Sequence, residues 1–220
     1  MRRVQAAKWE IKCVIYDCDG VLFDSLQANK NLYNDLCVSV GRSSLREKEV
    51  KYVHSHTVYE SIHFVFGHDD GLEKKVLELL KEVDLRNYIG YLQMEPNLIE
   101  TLDRLKKIGL IRAISTNRTT SMKHVMERFN LSPHFDMVVT ALDVKHPKPH
   151  PESIEKIIQA FNLDRKEIVF VGDSEVDRQT AESAGVAFIA YKNREIGTGA
   201  FIEDHLSLLS LILDGKSFRG

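Results

Sequence analysis

The stretch CVIYDCDGVLFDS, running from Cys13 to Ser25, decides the fold. An apolar run, Val14-Ile15-Tyr16, ends in two aspartates one residue apart, Asp17 and Asp19, with Gly20 directly behind them. A short run rich in Val, Ile and aromatics, with no polar alternation, reads as a strand covered on both faces. Two carboxylates at the end of such a strand repel each other and are poorly hydrated. A chain keeps such an arrangement when something compensates the charge.

Working outward, the rest of the chain repeats the theme. Strands are expected at residues 12–16, 111–115, 137–140, 168–172 and 186–191. Between them lie helical stripes: Leu98, Ile99, Leu102, Leu105 and Ile108; Met122, Val125, Met126 and Phe129; Ile154, Ile157, Ile158 and Phe161; Val176, Thr180, Ala181 and Ala184. Gly109 and Gly185 stand where the first and last of these stop. This alternation predicts an α/β fold, a doubly wound parallel Rossmann-like sheet with helices on both faces. Residues 26–92 break the rhythm, with helical patterns and no convincing strand. They are expected to form a small α-helical cap domain inserted after the first strand, leaving 1–25 and 93–220 as the α/β core. The tail after Leu213 reads as frayed.

Composition bounds the function. The chain has 220 residues, 43% apolar and 28% charged, with a formal net charge of −2. That suits a soluble globular protein able to bury a core without disulfides. Near-neutral charge gives no reason to expect a nucleic-acid or membrane surface. Cys13, Cys18 and Cys37 form no CxxC pair and no metal spacing, and Cys13 and Cys37 read as small core residues in a reducing compartment. The basic start, Met1 to Gln5, lacks the apolar stretch of a signal peptide, and no run is long enough to cross a bilayer. The expected location is cytoplasmic.

In parallel sheets of this type, ligands bind beyond the carboxyl ends of the strands. The first strand ends in Asp17 and Asp19. The second runs into Ser115-Thr116-Asn117-Arg118, and the fourth into Gly172-Asp173-Ser174 with Asp177 one turn on. Before the fourth lies KHPKPHP, a proline-rich loop with Lys145 and Lys148. Singly, each has an ordinary explanation: an Asp or Thr-Asn after a strand is commonly a helix cap, and a lysine between prolines a solvated loop charge. Together, at successive strand ends, they place acids, hydroxyls and a lysine on one edge.

With these motifs in view, the chain resembles the haloacid dehalogenase superfamily of phosphohydrolases over nearly its whole length. DCDGVLFDS matches the first motif of that family, AISTN the second, KPHPES the third and VFVGDSEVDRQTAESAG the fourth. The helical insert resembles the small α-helical cap of the group with phosphoglycolate phosphatases and β-phosphoglucomutases. The resemblance implies Mg²⁺, which would let clustered carboxylates stay ionised. It implies Asp17 as the nucleophile that forms an aspartyl phosphate and as a metal ligand. It implies Asp19 as general acid/base, with its backbone carbonyl on the metal. Asp173 is implied as the third metal ligand, and Asp177 as a supporting group that orients metal-bound water or holds Lys148. Thr116 would bind the phosphate with backbone N–H groups around Cys18 and Asn117, and Lys148 would neutralise it. Ser115 and Thr116 are adjacent and either has the hydroxyl of the second motif; Asn117 directly after favours Thr116. Lys145 competes with Lys148, and Lys148-Pro149 fits the family form.

The expected activity is Mg²⁺-dependent hydrolysis of a phosphate monoester on a small metabolite, of the phosphoglycolate or sugar-phosphate class. The presence of Asp19 argues against dehalogenation, which needs no acid. The alternatives are a phosphomutase, and a non-catalytic protein that binds a phosphate ligand. In the resemblance the cap closes over the site and selects the substrate. None of its lysines, Lys30, Lys48, Lys51, Lys74, Lys75 and Lys81, is marked as desolvated. Arg42, Lys51, His54 and His56 are candidates for holding a carboxylate or second phosphate, against the reading of the histidines as ordinary residues. No zinc site is expected from these cap histidines. Leu72 to Leu85 carries an apolar stripe best read as cap packing. The expected partner is a small phosphorylated metabolite, with no nucleic acid and no membrane, and the chain is expected as a monomer or weak dimer.

Overall fold

The computed structural model describes residues 11–197 and 200–213. The basic start and the tail after Leu213 lie outside the described residues. In chain order the elements are β1 (Cys13–Tyr16), β2 (Phe23–Asp24), α1 (Leu26–Ser39), α2 (Glu47–Ser55), α3 (Val58–Phe66), α4 (Asp70–Glu82), α5 (Arg86–Ile89), β3 (Gln93–Met94), α6 (Leu98–Lys107), β4 (Ile111–Ser115), α7 (Ser121–Arg128), β5 (Met137–Val139), α8 (Glu152–Phe161), β6 (Ile168–Gly172), α9 (Glu175–Ala184), β7 (Ala187–Tyr191), β8 (Phe201–Ile202) and α10 (His205–Leu213). The described residues divide into two compact units. One holds the chain up to Leu22 and from Met94 onward, the other Phe23–Gln93.

The larger unit is built on a parallel sheet in the order β5-β4-β1-β6-β7-β8. β1 is central: Ile15 stands opposite Ala113 of β4 on one side and Phe170 of β6 on the other. The chain runs outward from β1 through β4 to β5, then returns to the far side of β1 and runs outward again through β6, β7 and β8. Strand order therefore reverses at β1, and the ends of β1, β4 and β6 border the crevice where ligands bind in doubly wound sheets. The apolar β1 run is explained by its place: all four of its residues are buried.

The helices on this sheet bury the stripes read from the sequence. Leu98, Leu102 and Leu105 of α6 are buried, as are Ile154 and Ile157 of α8 and Ala181 and Ala184 of α9. The basic last turn of α6, with Arg104, Lys106 and Lys107, complements the negative end of its dipole. Arg112 on β4 is a buried charge with its hydrogen bonds met. Its guanidinium donates to the carbonyls of His134 (3.0 Å) and Leu110 (2.8 Å) and to the Asp136 carboxylate (2.8 Å).

The chain after Tyr191 adds two elements that sequence patterning did not mark. β8 is two residues long, too short for a periodic signal, and α10 is apolar around most of its circumference. His205 on α10 is buried between the rings of Tyr16 and Tyr191 and donates from Nε2 to the carbonyl of Val21 (2.9 Å). Burial pushes its imidazole down to about 4, so it stays neutral while holding the segment just after Gly20.

The smaller unit is helical apart from β2 and β3, which pair as a two-stranded sheet. Tyr33, Leu36 and Cys37 of α1, Val53 of α2, Ile62, Val65 and Phe66 of α3 and Val76 of α4 form its core. Leu72, Leu77, Leu79, Leu80 and Val83 pack against it, so the stripe of residues 72–85 serves internal packing. Among the described residues no helix is long and apolar enough to cross a membrane.

Because Ile15 is fully buried in the central strand, shortening it tests the core directly. Ile15→Val is expected to lower stability by about 1 kcal/mol and Ile15→Ala by about 2–5 kcal/mol. Urea unfolding should show both as shifts in midpoint at unchanged slope.

Candidate active site

Four loops meet at the ends of β1, β4 and β6. Asp17 follows β1 directly, its N–H donating to the Val171 carbonyl of β6 (2.9 Å). Lys148 lies in the loop before α8, and its Nζ donates to Asp17 Oδ1 and Asp177 Oδ1, each at 2.6 Å. All three side chains are buried. The ammonium also stands 5.4 Å from the centre of the Phe170 ring. Lys145 is exposed, so of the two lysines weighed from the sequence only Lys148 enters the crevice.

Asp177 is placed by helix geometry. It is the third residue of α9, in a reciprocal capping box with Ser174. Ser174 Oγ accepts from the Asp177 N–H (3.3 Å), and Asp177 Oδ2 accepts from the Ser174 N–H (3.2 Å) and hydroxyl (2.6 Å). One carboxylate oxygen thus starts the helix while the other holds Lys148. Asp177 is thus both a helix cap and a partner of Lys148.

The second-motif loop is equally ordered. Ser115 is buried and shares a 2.7 Å hydrogen bond with Ser153 Oγ of α8, which ties it to the core. Thr116 follows, its Oγ1 accepting from the Arg118 N–H (3.1 Å). Asn117 pairs with Lys148 like a strand neighbour: Nδ2 donates to the Lys148 carbonyl and Oδ1 accepts from the Lys148 N–H, both at 3.0 Å. Cys18 is a buried free thiol between the two aspartates, pushed up by burial and therefore un-ionised.

Three residues matter here that sequence reading passed over. Arg118 clasps the Asp19 carboxylate in a fork, Nε to Oδ2 and Nη2 to Oδ1, both at 2.6 Å. The motif's second aspartate is thus held by the first cation after the second motif; that cation is adjacent to Asn117, but nothing in spacing alone says it turns toward Asp19. Gly20 has φ +76°, and a Cβ there would lie 2.0 Å from Asp173 Oδ2. A Cβ at Gly172 would lie 2.3 Å from Asp177 Cβ. Both glycines exist to let a carboxylate approach the backbone.

Carboxylate oxygens of Asp17, Asp173 and Asp177 lie within 4.8 Å of one another. Burial, reinforced by the charges of Asp177 and Asp17, raises Asp173 well above the usual carboxylate range. Burial also pushes Asp17 up to about 7, with Lys148 pulling the other way and Asp177 and Asp19 adding to the rise. Burial works against the Lys148 ammonium, but Asp17 and Asp177 outweigh it and hold its pKa above the ordinary lysine value. Asp17, Asp19, Asp173 and Asp177 face two cations, Lys148 and Arg118. The two negative charges left over equal the charge of one divalent cation. An all-oxygen donor set with that excess charge fits Mg²⁺.

In the helical unit, three of the four residues weighed for anion binding have protein partners. Arg42 donates to Cys37 Sγ (3.2 Å) and Glu49 Oε1 (2.6 Å), and Lys51 pairs with Glu47 at 3.2 Å. His56 stacks on Tyr52 and its Nδ1 lies 2.9 Å from the Tyr52 carbonyl. His54 is half-buried on α2. The cations are answered by acids on α2, a helix the sequence pattern did not mark, so their partners were not visible beforehand.

Comparison with known proteins agrees with this geometry. A model of the haloacid dehalogenase-like hydrolase family matches residues 14–191, from β1 to the end of β7. The chain belongs to the haloacid dehalogenase-like hydrolases. A crystal structure of a superfamily hydrolase of subfamily IA from Geobacter sulfurreducens is 38% identical, with a TM-score of 0.77 over 92% of this chain and 96% of that one. The pyrophosphatase PpaX of Bacillus anthracis is 28% identical over 93% of this chain and 97% of its own length. A predicted phosphoglycolate phosphatase from Haemophilus somnus, 23% identical, shares the fold with a TM-score of 0.76 over 91% and 97% of the two chains. This dehalogenase-like hydrolase shares its scaffold with both solved structures.

Two outcomes follow from the geometry. Gly20→Ala is expected to lose more stability than the ~1–2 kcal/mol that a left-handed alanine costs, because Asp173 must also move. Gly41→Ala is the control: its φ is also +76° and nothing lies within 4 Å of the added Cβ, so only the backbone cost applies. The second concerns charge. Asp17, raised to about 7, binds its proton more readily folded than unfolded, so its ionisation destabilises the metal-free protein as pH rises from about 4 through 7. Metal-free Asp17→Asn should therefore melt higher than the parent at pH 8, with the gain shrinking toward pH 4.

Proposed function

We propose that this hydrolase removes phosphate from a small phosphorylated metabolite in the cytoplasm, with Mg²⁺ and through an aspartyl phosphate on Asp17. The observation that carries this reading is the Lys148 ammonium held at 2.6 Å from both Asp17 and Asp177, with Asp19 two residues from the nucleophile. Asp17 attacks phosphorus, and the P–O bond to the leaving alcohol breaks as the new bond forms. Lys148 favours the ionised form of Asp17 against the effect of burial and meets the negative charge of the phosphoryl oxygens. Thr116 Oγ1 and the N–H groups around Cys18 and Asn117 hold the transferring group. Asp19 gives a proton to the leaving oxygen and then takes one from the water that cleaves the acyl phosphate. Asp17, the Asp19 carbonyl and Asp173 would hold Mg²⁺, which supplies charge neutralisation and orientation to the phosphate. The segment 26–92 acts as the cap that selects the substrate.

Arg118 refines the substrate class. Its fork occupies both oxygens of the Asp19 carboxylate, so Asp19 must share or leave it before it reaches the leaving group. A leaving group that carries its own anion competes for that guanidinium. This favours phosphoglycolate-like esters, or pyrophosphate as in the name of the PpaX relative, over neutral sugar phosphates.

The test is phosphate release from a panel: phosphoglycolate, pyrophosphate, hexose and pentose phosphates, nucleotides and an aryl phosphate, with Mg²⁺ and with chelator. Metal-dependent turnover with preference for a member whose leaving group carries its own anion is the expected result, and no release from any member sinks the reading. Asp17→Asn should abolish turnover while circular dichroism is unchanged. Arg118→Ala should lower kcat/KM about tenfold or more for a substrate with an anionic leaving group, a loss of ~1.4 kcal/mol in transition-state binding, and less for the phosphate of an uncharged sugar.

A further inference from the structure

The loop that carries Lys148 has a second, exposed side. His146 and His150 flank the lysine by two residues each way, and Glu152 opens α8 just beyond. The histidine rings lie 4.7 Å apart, and ring nitrogens of both and a carboxylate oxygen of Glu152 fall within 4.8 Å of one another. The His146 side chain is 65% exposed, so an ion reaches it without opening the core. The two histidines line an open groove with Pro147, Pro149 and Pro151. None of the three takes part in the chemistry assigned above.

We propose that His146, His150 and Glu152 bind a divalent transition-metal ion of the zinc class, separate from the Asp17 cluster. Two imidazoles and a carboxylate are a borderline donor set, which zinc, nickel or copper ions accept and Mg²⁺ does not favour. Solvent completes the coordination at so open a site. The carboxylate is already fixed and ionised: Glu152 accepts from the N–H groups of Lys145 (2.9 Å) and His146 (3.0 Å), which hold it below the usual glutamate range. His146 Nδ1 stands 3.3 Å from the same carboxylate, and His150 Nδ1 accepts from the Glu152 N–H at 3.3 Å. Those contacts are long, so giving one up to an ion loses little. Three prolines in seven residues fix φ along the loop, so little backbone entropy remains to be lost when the ligands converge. Occupancy ties both shoulders of the Lys148 loop together and stabilises it.

The experiment uses the full untagged chain in Mg²⁺-saturated buffer, titrated calorimetrically with ZnCl₂. The parent and Asp17→Asn should each bind one zinc ion with similar affinity, since Asp17 lies outside the site. His146→Ala/His150→Ala should lose that binding by tenfold or more. His150→Gln, which keeps an acceptor for the Glu152 N–H, should lose it likewise. At tenfold excess of zinc over its Kd the parent should melt about 3–6 °C higher, and the double variant should show no such rise. Equal binding and equal thermal shift in the double variant would place the ion away from these histidines and overturn the proposal. Absence of zinc binding in the parent would overturn it as well.

Discussion

A single ammonium group organises the crevice. Lys148 sits buried between Asp17, at the end of the central strand, and Asp177, on the first turn of α9. A buried ion pair is seldom a net source of stability, because taking the charges out of water offsets their attraction. Here the sum is worse: Asp173 and Asp17 are pushed above the usual carboxylate range by burial and by neighbouring carboxylates, Asp177 foremost. The arrangement therefore works against folding unless a cation joins it. The surrounding fold supplies the stability the site withholds.

That supply is visible in how each charged group is anchored. Asp17 rides on β1, a fully buried strand with parallel neighbours on both sides. Asp177 is fixed by its capping box with Ser174, and the Lys148 peptide by the amide of Asn117. Asp173 is brought close by two features: Gly20 leaves room for its carboxylate, and Asn193 donates to its carbonyl at 2.9 Å. His205 holds the carbonyl of Val21 just past Gly20. Most of these partners are ordinary capping or packing devices. Phosphoryl transfer demands little covalent chemistry of the protein and much positioning, so a scaffold of such devices is what the reaction needs.

The sequence revealed the parts whose signal is local. β4 and β6 fall where the apolar runs end, and β1, α6, α8 and α9 lie within a residue or two of the runs and stripes, because burial on both faces or on one helical stripe writes itself into composition. Asp17, Lys148, Asp173 and Asp177 were legible for a different reason: they stand at strand ends in motifs with fixed spacing. What escaped depends on distant pairing. Arg118 and Asp19 are separated by 99 positions, and nothing in either neighbourhood announces the fork between them. β8 is too short for periodicity, and α10 too uniformly apolar for an amphipathic stripe. In the helical unit, Arg42 and Lys51 looked available as anion binders because α2, with Glu47 and Glu49, was not recognised as the element that answers them.

The Lys148 loop shows how one short segment can serve two environments. Its prolines exclude helix and strand, so alternate residues are free to face opposite ways: Lys148 inward to two carboxylates, His146 and His150 outward to solvent. Glu152 joins the two sides, since it holds the backbone of Lys145 and His146 while standing beside both rings. Whatever grips the outer side therefore acts on the same backbone that aims the inner ammonium. In a site whose charges oppose folding, the stiffness of that backbone is what keeps Lys148 within hydrogen-bond reach of Asp17, so the loop's outer contacts belong to the energetics of the inner ones.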